Sequence, residues 1–368
     1  MNKAVLLLPL FFLGCTGCEN PLAKPKKQTH FRLASWNLQA FFDGQEAGTE
    51  YADFTAKASW NEVAYKSRLQ VLSDAMGRWG EVQTQGDIPG PDMFALIEIE
   101  NAQVLADLLA GPLASFKYTY SAFAINPGAP LGLALASRFP ITATRCHSIQ
   151  TPSFSAPRPM LEAEIELPGK EGEKLIVFVC HWKSKLGSIK ETEAIRRASA
   201  QLVNRRIQEL VQDRSGKVPL FLVAGDLNEN IDEYDRQGTT ILTALMPAGI
   251  SLDPYPEAAL SPRPCLMVTD SVQELPTFTE DPALLYSPWN QSEWQGSYAY
   301  QSAWEKIDHI LLGYPFFDNL GWDYAGFSVL DHAPFVNDAG YPNSFNPRTR
   351  KGLSDHLPIV ADFKQHSP

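Results

Sequence analysis

The sequence predicts a mixed α/β or α+β sandwich. Short apolar runs of strand length recur along the chain, two longer stretches repeat apolar residues at helical spacing, and the strand runs stop at acid, amide or imidazole side chains. The first run, residues 31–36, ends at Trp36-Asn37. The segment 61–79 then carries Val63, Leu69, Leu72, Met76 and Trp79 at roughly helical intervals, as a buried stripe requires. Run 93–97 leads into Glu98-Ile99-Glu100-Asn101, and run 131–137 into a turn at Arg138-Phe139-Pro140. Run 175–180 ends in His181-Trp182-Lys183. The stretch 191–213 is again helical, through Ile195, Ala198, Leu202, Ile207 and Leu210. Run 220–224 ends in Gly225-Asp226-Leu227-Asn228, and run 306–312 carries Asp308-His309. Ser354-Asp355-His356 precedes the last run, 357–363. Ligand-type side chains at strand ends converge on one rim of a sheet.

With 368 residues, 44% of them hydrophobic, the chain can bury one large core or two ordinary ones. Charged residues make up 20% and form no long run of one sign, which excludes a disordered body. The net charge of −11 excludes gripping of nucleic acid through a broad basic surface, although a hydrolase needs turnover more than tight binding. Cys146, Cys180 and Cys265 lack CxxC spacing, which argues against a zinc site; one disulfide and buried free thiols both remain open.

Lys3 precedes an apolar run from Ala4 to Leu13 that is too short to span a bilayer but suits a signal peptide. Phe12-Leu13-Gly14-Cys15 resembles a bacterial lipobox, which implies cleavage after residue 14 and a lipid on Cys15. Cys18 is a rival acceptor, and a cleaved, unanchored product is the alternative. The organisation expected is a signal peptide at 1–14, a tether at 15–29 rich in Pro and Lys, and one domain at 30–366. Prolines and aromatics crowd 231–300, which reads as an insertion of loops at a binding rim or a structural insertion with its own apolar cluster.

Taken singly, each polar strand end has a dull explanation: Gly-Asp-x-Asn is a turn composition, and a lone histidine is more often structural than catalytic. In their order, however, Asn37, Glu98, His181, Gly225-Asp226-Leu227-Asn228, Asp308 and Ser354-Asp355-His356 resemble the successive motifs of the endonuclease/exonuclease/phosphatase superfamily. The segments Leu135-Ala136-Ser137-Arg138-Phe139-Pro140, His181-Trp182-Lys183-Ser184-Lys185 and Tyr298-Ala299-Tyr300 before Trp304 extend the likeness, the last two toward secreted bacterial nucleases. The resemblance covers roughly residues 31–363 and implies a four-layer α/β/β/α sandwich of two facing mixed sheets.

It also implies a Mg2+-dependent phosphodiester hydrolase, with Mn2+ or Ca2+ as alternative ions. Glu98, Asn37 and Asp355 are the expected metal ligands; hard oxygen donors in a sparse set suit Mg2+. Strand alternation puts Glu98 and Glu100 on one face, so spacing alone leaves Glu100 open. Asp226 is the expected base, with Asn228 holding phosphate or nucleophile. His356 is expected to meet a phosphate oxygen, paired with Asp308, which would keep it a cation. His181 is expected as general acid or phosphate ligand, and His309, next to Asp308, should face away. Arg138, Lys183 and Lys185 are candidate substrate contacts; Arg196 and Arg197 read as phosphate contacts or as a solvated helix face.

The partners expected are a nucleic-acid substrate and, through the lipid, a membrane, with the chain a monomer that is secreted or held at the cell surface or outer membrane, the periplasm being the alternative. A sphingomyelin or inositol-phosphate phosphodiesterase or phosphatase is the rival function, for which Tyr314-Pro315-Phe316-Phe317 is a short candidate membrane hairpin. An inactive surface-binding protein is a further alternative, disfavoured because Glu98, Asp226 and His356 are all in place.

Overall fold

The computed structural model describes residues 29–81, 88, 90–149, 158–169, 172–275 and 281–366. The predicted signal peptide and nearly all of the tether lie outside the described residues. The elements, in chain order, are β1 (His30–Phe41), α1 (Glu62–Gly77), β2 (Met93–Ile99), α2 (Ala102–Ala110), β3 (Tyr120–Ala124) and β4 (Gly132–Ser137). Next come β5 (Ile141–His147), β6 (Met160–Glu166), β7 (Lys174–His181), α3 (Ile189–Asp213), β8 (Leu220–Asp226) and α4 (Glu233–Arg236). The chain continues through β9 (Leu245–Pro247), β10 (Leu266–Thr269), β11 (Leu284–Tyr286), β12 (Tyr298–Tyr300) and β13 (Ala303–Glu305). It closes with β14 (Asp308–Leu312), β15 (Trp322–Val329) and β16 (Ile359–Gln365).

The strands form a six-stranded sheet ordered β15-β16-β1-β2-β4-β3 and an eight-stranded sheet ordered β5-β6-β7-β8-β14-β11-β10-β9. Both sheets mix parallel and antiparallel pairs: β1 runs parallel to β2 and antiparallel to β16, and β7 runs parallel to β8. They pack face to face, with β1 against β8 and β14, and β2 and β4 against β7. Alternation along the strands sorts the core. In β7, Leu175, Val177 and Val179 join the large core that includes the space between the sheets, whereas Ile176, Phe178 and Cys180 join a second cluster with Val203, Ile207 and Leu210 of α3. Strands buried on both faces read as continuous apolar runs, which is why β7 and β8 were visible in the sequence.

Register fixes where the polar ends arrive. His181 pairs with Asp226, and Asp226 with Asp308, so β7, β8 and β14 deliver those side chains to one end of the sandwich. By the same alternation Asp308 lies with Ile310 and Leu312 toward the facing sheet, and His309 lies with Leu311 on the other face. His309 is buried there, bonded through Nε2 to the carbonyl of Glu229 at 2.8 Å.

Two sequence expectations change. Residues 231–300 are more than loops: β9, β10 and β11 extend the main sheet, and Tyr286 and Trp289 are buried in the large core. The buried stripe of α1 runs through Tyr65, Arg68, Leu72 and Met76, leaving Val63 69% exposed. Cys146, Cys180 and Cys265 are free, the latter two buried.

Candidate active site

The site begins with two bulged strands. Past Asn37, β1 enters left-handed backbone at Gln39 (φ 53°) and Ala40 (φ 58°), and its pairing with β2 shifts register. Across from it, Glu98 adopts φ 67° where β2 and β4 slip between Ile97 and Ile99. Bulges at sheet ends re-aim side chains. Here Glu98 faces a cavity of about 270 Å³, and its Oε2 accepts the Ala40 N–H at 2.7 Å. Glu100, left open by simple alternation, is drawn away to accept the Asp43 N–H at 2.6 Å. Arg68, reaching from α1, donates to the carbonyls of Leu38, Gln39 and Ala40 and stacks 3.8 Å from the Phe345 ring centre. A fully buried arginine thus clamps the bulge that carries the Glu98 contact.

Asp226 lies at the centre. Its Oδ2 accepts Asn37 Nδ2–H at 3.0 Å and its Oδ1 accepts the Asn228 backbone N–H at 2.9 Å. His181 Nε2 lies 3.5 Å and His356 Nε2 3.8 Å from Oδ2. Burial, reinforced by the charge of Asp308 against the opposing pull of His356, raises the Asp226 carboxyl to about 7. Asn37 also faces the cavity, and its amide oxygen accepts the Gln39 N–H at 3.0 Å, because the bulge turns that N–H back onto it.

His356 forms the second half. Its Nδ1 bonds Asp308 Oδ2 at 2.7 Å, and the Ser297 hydroxyl donates to the same oxygen at 2.6 Å. Burial disfavours the charged ring, but Asp308, Asp226 and Asp355 outweigh it and push His356 up to about 10. Tyr298 lies over the ring at 4.7 Å between centroids. His181, by contrast, is held well below its ordinary value by burial, with Arg158 and His356 adding to the effect. The two imidazoles are therefore driven in opposite directions, His356 toward its charged form and His181 toward its neutral one.

The residues present fit a divalent cation. Glu98 and Asp355 both face the cavity; burial raises the Asp355 carboxyl, and the charge of Glu98 adds to the rise. Two mutually repelling hard carboxylates are the donors that Mg2+ accepts. Ligand atoms of Asp226, Asp308 and His356 also lie within 4.8 Å of one another. An imidazole held protonated by its carboxylate partner is a poor ligand, so Glu98 and Asp355 are the better pair.

Asn37, Glu98, His181, Lys185, Asp226, Asn228, Asp355 and His356 all line this cavity, with Asp308 directly behind His356. Lys185 is bound to Glu233 at 2.6 Å and Glu305 at 2.7 Å. Lys183 lines an adjoining cavity with Arg158. Arg138 is a correction: it donates to the carbonyls of Phe116, Ile88 and Gly90 and pairs with Asp92 at 3.3 Å, beside the first residue of β2 and so at the opposite strand end from Glu98. Arg196 is a second one, buried between Glu193 and Glu229 at 2.6 Å each, while Arg197 pairs with Glu257. Cys15 lies outside the described residues.

Sequence reasoning missed Arg68, Arg158, Ser297 and the part played by Tyr298. Arg68 left a signal, a charge on the same helical stripe as Leu72; isolated Arg158 and Ser297 left none.

The fold and site define a two-sheet α/β sandwich with an acid and imidazole centre at its strand ends. Residues 32–246 match the sequence model of the Endonuclease/Exonuclease/phosphatase family, and the chain belongs to that family. The superfamily includes metal-dependent nucleases, phosphodiesterases and phosphatases. Among solved structures, humanized D. rerio TDP2 carrying 14 mutations is 14% identical, with a TM-score of 0.52 over 92% of this chain and all (100%) of that one. An endonuclease/exonuclease/phosphatase family protein from Bacteroides thetaiotaomicron is 16% identical, with a TM-score of 0.51 over 92% of this chain and 96% of that one. At such identities the likeness is one of fold. No curated protein sequence matches the chain.

Proposed function

We propose that the protein is a divalent-metal-dependent endonuclease that hydrolyses DNA, with RNA as the second candidate substrate. The observation that carries this reading is a buried Asp226 with His181 at 3.5 Å and His356 at 3.8 Å from its carboxylate, in the cavity that Glu98 and Asp355 also line. Asp226 accepts a proton from the attacking water, whose oxygen bonds to phosphorus in line as the bond to the leaving sugar oxygen breaks. Asn37 and the Asn228 N–H orient that carboxylate. His356, positioned by Asp308 and Ser297, donates to a non-bridging phosphate oxygen as its charge grows. Neutral His181 serves as a second N–H donor, which favours its phosphate-ligand role over that of a general acid. A divalent cation held by Glu98 and Asp355 neutralises the phosphate and stabilises the leaving oxygen when bound.

Tyr300, 48% exposed at the cavity rim, offers a face on which a base stacks. The segment Tyr314–Phe317 forms a short turn with Phe316 buried rather than a projecting apolar hairpin, which favours nucleic acid over a membrane lipid. The apolar run before Cys15 supports export and lipid anchoring at the cell surface, with the chain acting as a monomer. Supercoiled plasmid, RNA, sphingomyelin and inositol polyphosphate, each offered with Mg2+ or with EDTA, decide the substrate. Mg2+-dependent nicking of the plasmid is expected. Turnover of the lipid or inositol phosphate alone would keep the chemistry and overturn the substrate.

A further inference from the structure

Beside the catalytic cavity lies a second one of about 190 Å³, lined by Tyr51, Pro130, Leu131, Arg158 and Lys183. Arg158 lines both cavities and so marks their common wall. Its guanidinium donates to the Trp182 carbonyl at 2.8 Å, which fixes it beside Lys183. The Lys183 ammonium bonds, among the described residues, to Ser184 and to the Leu186 carbonyl, at 3.1–3.4 Å. Among the described residues no carboxylate forms an ion pair with either cation, although Asp and Glu outnumber Lys and Arg by 42 to 31 in the chain. The two charges also oppose each other: burial, then Arg158, lowers Lys183. A repelling cation pair without a carboxylate, set in a hollow, is stabilised by an anion that bridges it. Tyr51, Pro130 and Leu131 complete the wall of that hollow, and burial, then the charge of Glu98, raises the Tyr51 phenol against the opposing pull of Arg158.

Resting on the nucleic-acid reading above, we propose that this second cavity holds the backbone phosphate next to the scissile one, clamped by Arg158 and Lys183. Tyr51, Pro130 and Leu131 pack on the intervening nucleoside. The enzyme then grips two consecutive phosphates and prefers a strand to an isolated diester, which lets an acidic protein engage nucleic acid through a narrow cationic seat.

The test is a cycle between protein and substrate. Tetranucleotides with a phosphate neighbouring the cleaved bond replaced by uncharged methylphosphonate are compared with the all-phosphate strand, cleavage positions being read by mass. For the wild type, neutralising the neighbour on one side is expected to lower kcat/KM about 10- to 100-fold. In Lys183→Gln, and in Arg158→Gln as a second variant, the all-phosphate strand already shows most of that loss, and methylphosphonate adds little. Equal losses in wild type and both variants, or none in the wild type, would overturn the subsite while leaving the nuclease reading intact. A wild type that nicks plasmid but cuts no all-phosphate tetranucleotide would overturn the subsite alone, and one that cuts neither would overturn both.

Discussion

Asp308 and His356 are one unit at the level of single residues, because removing either leaves a buried partner without its counter-charge. His356→Ala and Asp308→Ala are each expected to lower kcat about 10²- to 10⁴-fold, with the double variant little worse than either. Multiplying losses in the double variant would refute the pairing. Away from the site, Glu162 is buried among Arg145 at 2.8 Å, His147 at 2.7 Å and Arg206 at 2.9 Å. Burial opposes its ionisation, yet His147 and Arg206 overcome it and hold the carboxyl down at about 2. A depressed acid adds stability that is complete above its unfolded value, near 4.3, and disappears as pH falls toward 2, worth on the order of 1–3 kcal/mol. Urea midpoints at pH 7 and pH 3 should therefore differ less for Glu162→Gln than for the wild type. Parallel pH dependences would remove Glu162 from the acid response.

Strands and helices carry these residues to one place, and Gly225 shows how tightly. At φ +134° in β8, a Cβ on it would stand 2.0 Å from the Cys180 carbonyl oxygen of β7. Gly225→Ala is expected to cost at least about 2 kcal/mol and to part β7 from β8 where they present His181 and Asp226. A variant with unchanged Tm and activity would contradict this. The strands that bring the site together were legible because burial on both faces leaves an unbroken apolar run, as in β2, β7, β8 and β14. β5 and β15 were not, since their exposed faces interrupt the run with polar or small residues. β9 and β11 are only 3 residues long, too short for periodicity to register. In α1 and just past it, the stripe of Leu72, Met76 and Trp79 is buried as the spacing predicts, while Val63 is exposed and Arg68 takes a buried place through bonds to the bulge that lie outside any local pattern. Likewise, Asn37, Glu98, Asp226, Asp308 and His356 stood out at strand ends, but Ser297 and Arg158 owe their positions to tertiary packing alone.

The whole molecule uses two facing sheets to bring chemistry from both ends of the sequence together: Asn37 near its start meets Asp226 at 3.0 Å, and Ser354 near its end donates to the Asn37 carbonyl at 2.6 Å. With a net charge of −11, little long-range attraction to a polyanion is available, so the recognition proposed above would fall to the catalytic cavity, a cation held there and the neighbouring Arg158 and Lys183. Among the described residues no helix is long and apolar enough to cross a membrane, so the membrane attachment proposed here rests on Cys15. The role proposed for Asp226 is to activate water for cleavage of a phosphodiester. Its most direct test is the rate of supercoiled-plasmid nicking in Mg2+ by the wild type and by Asp226→Asn, which keeps the side chain's size while removing its basicity. A fall of about 10²-fold or more with an unchanged Tm is the predicted result. Nicking by Asp226→Asn at the wild-type rate would exclude that role.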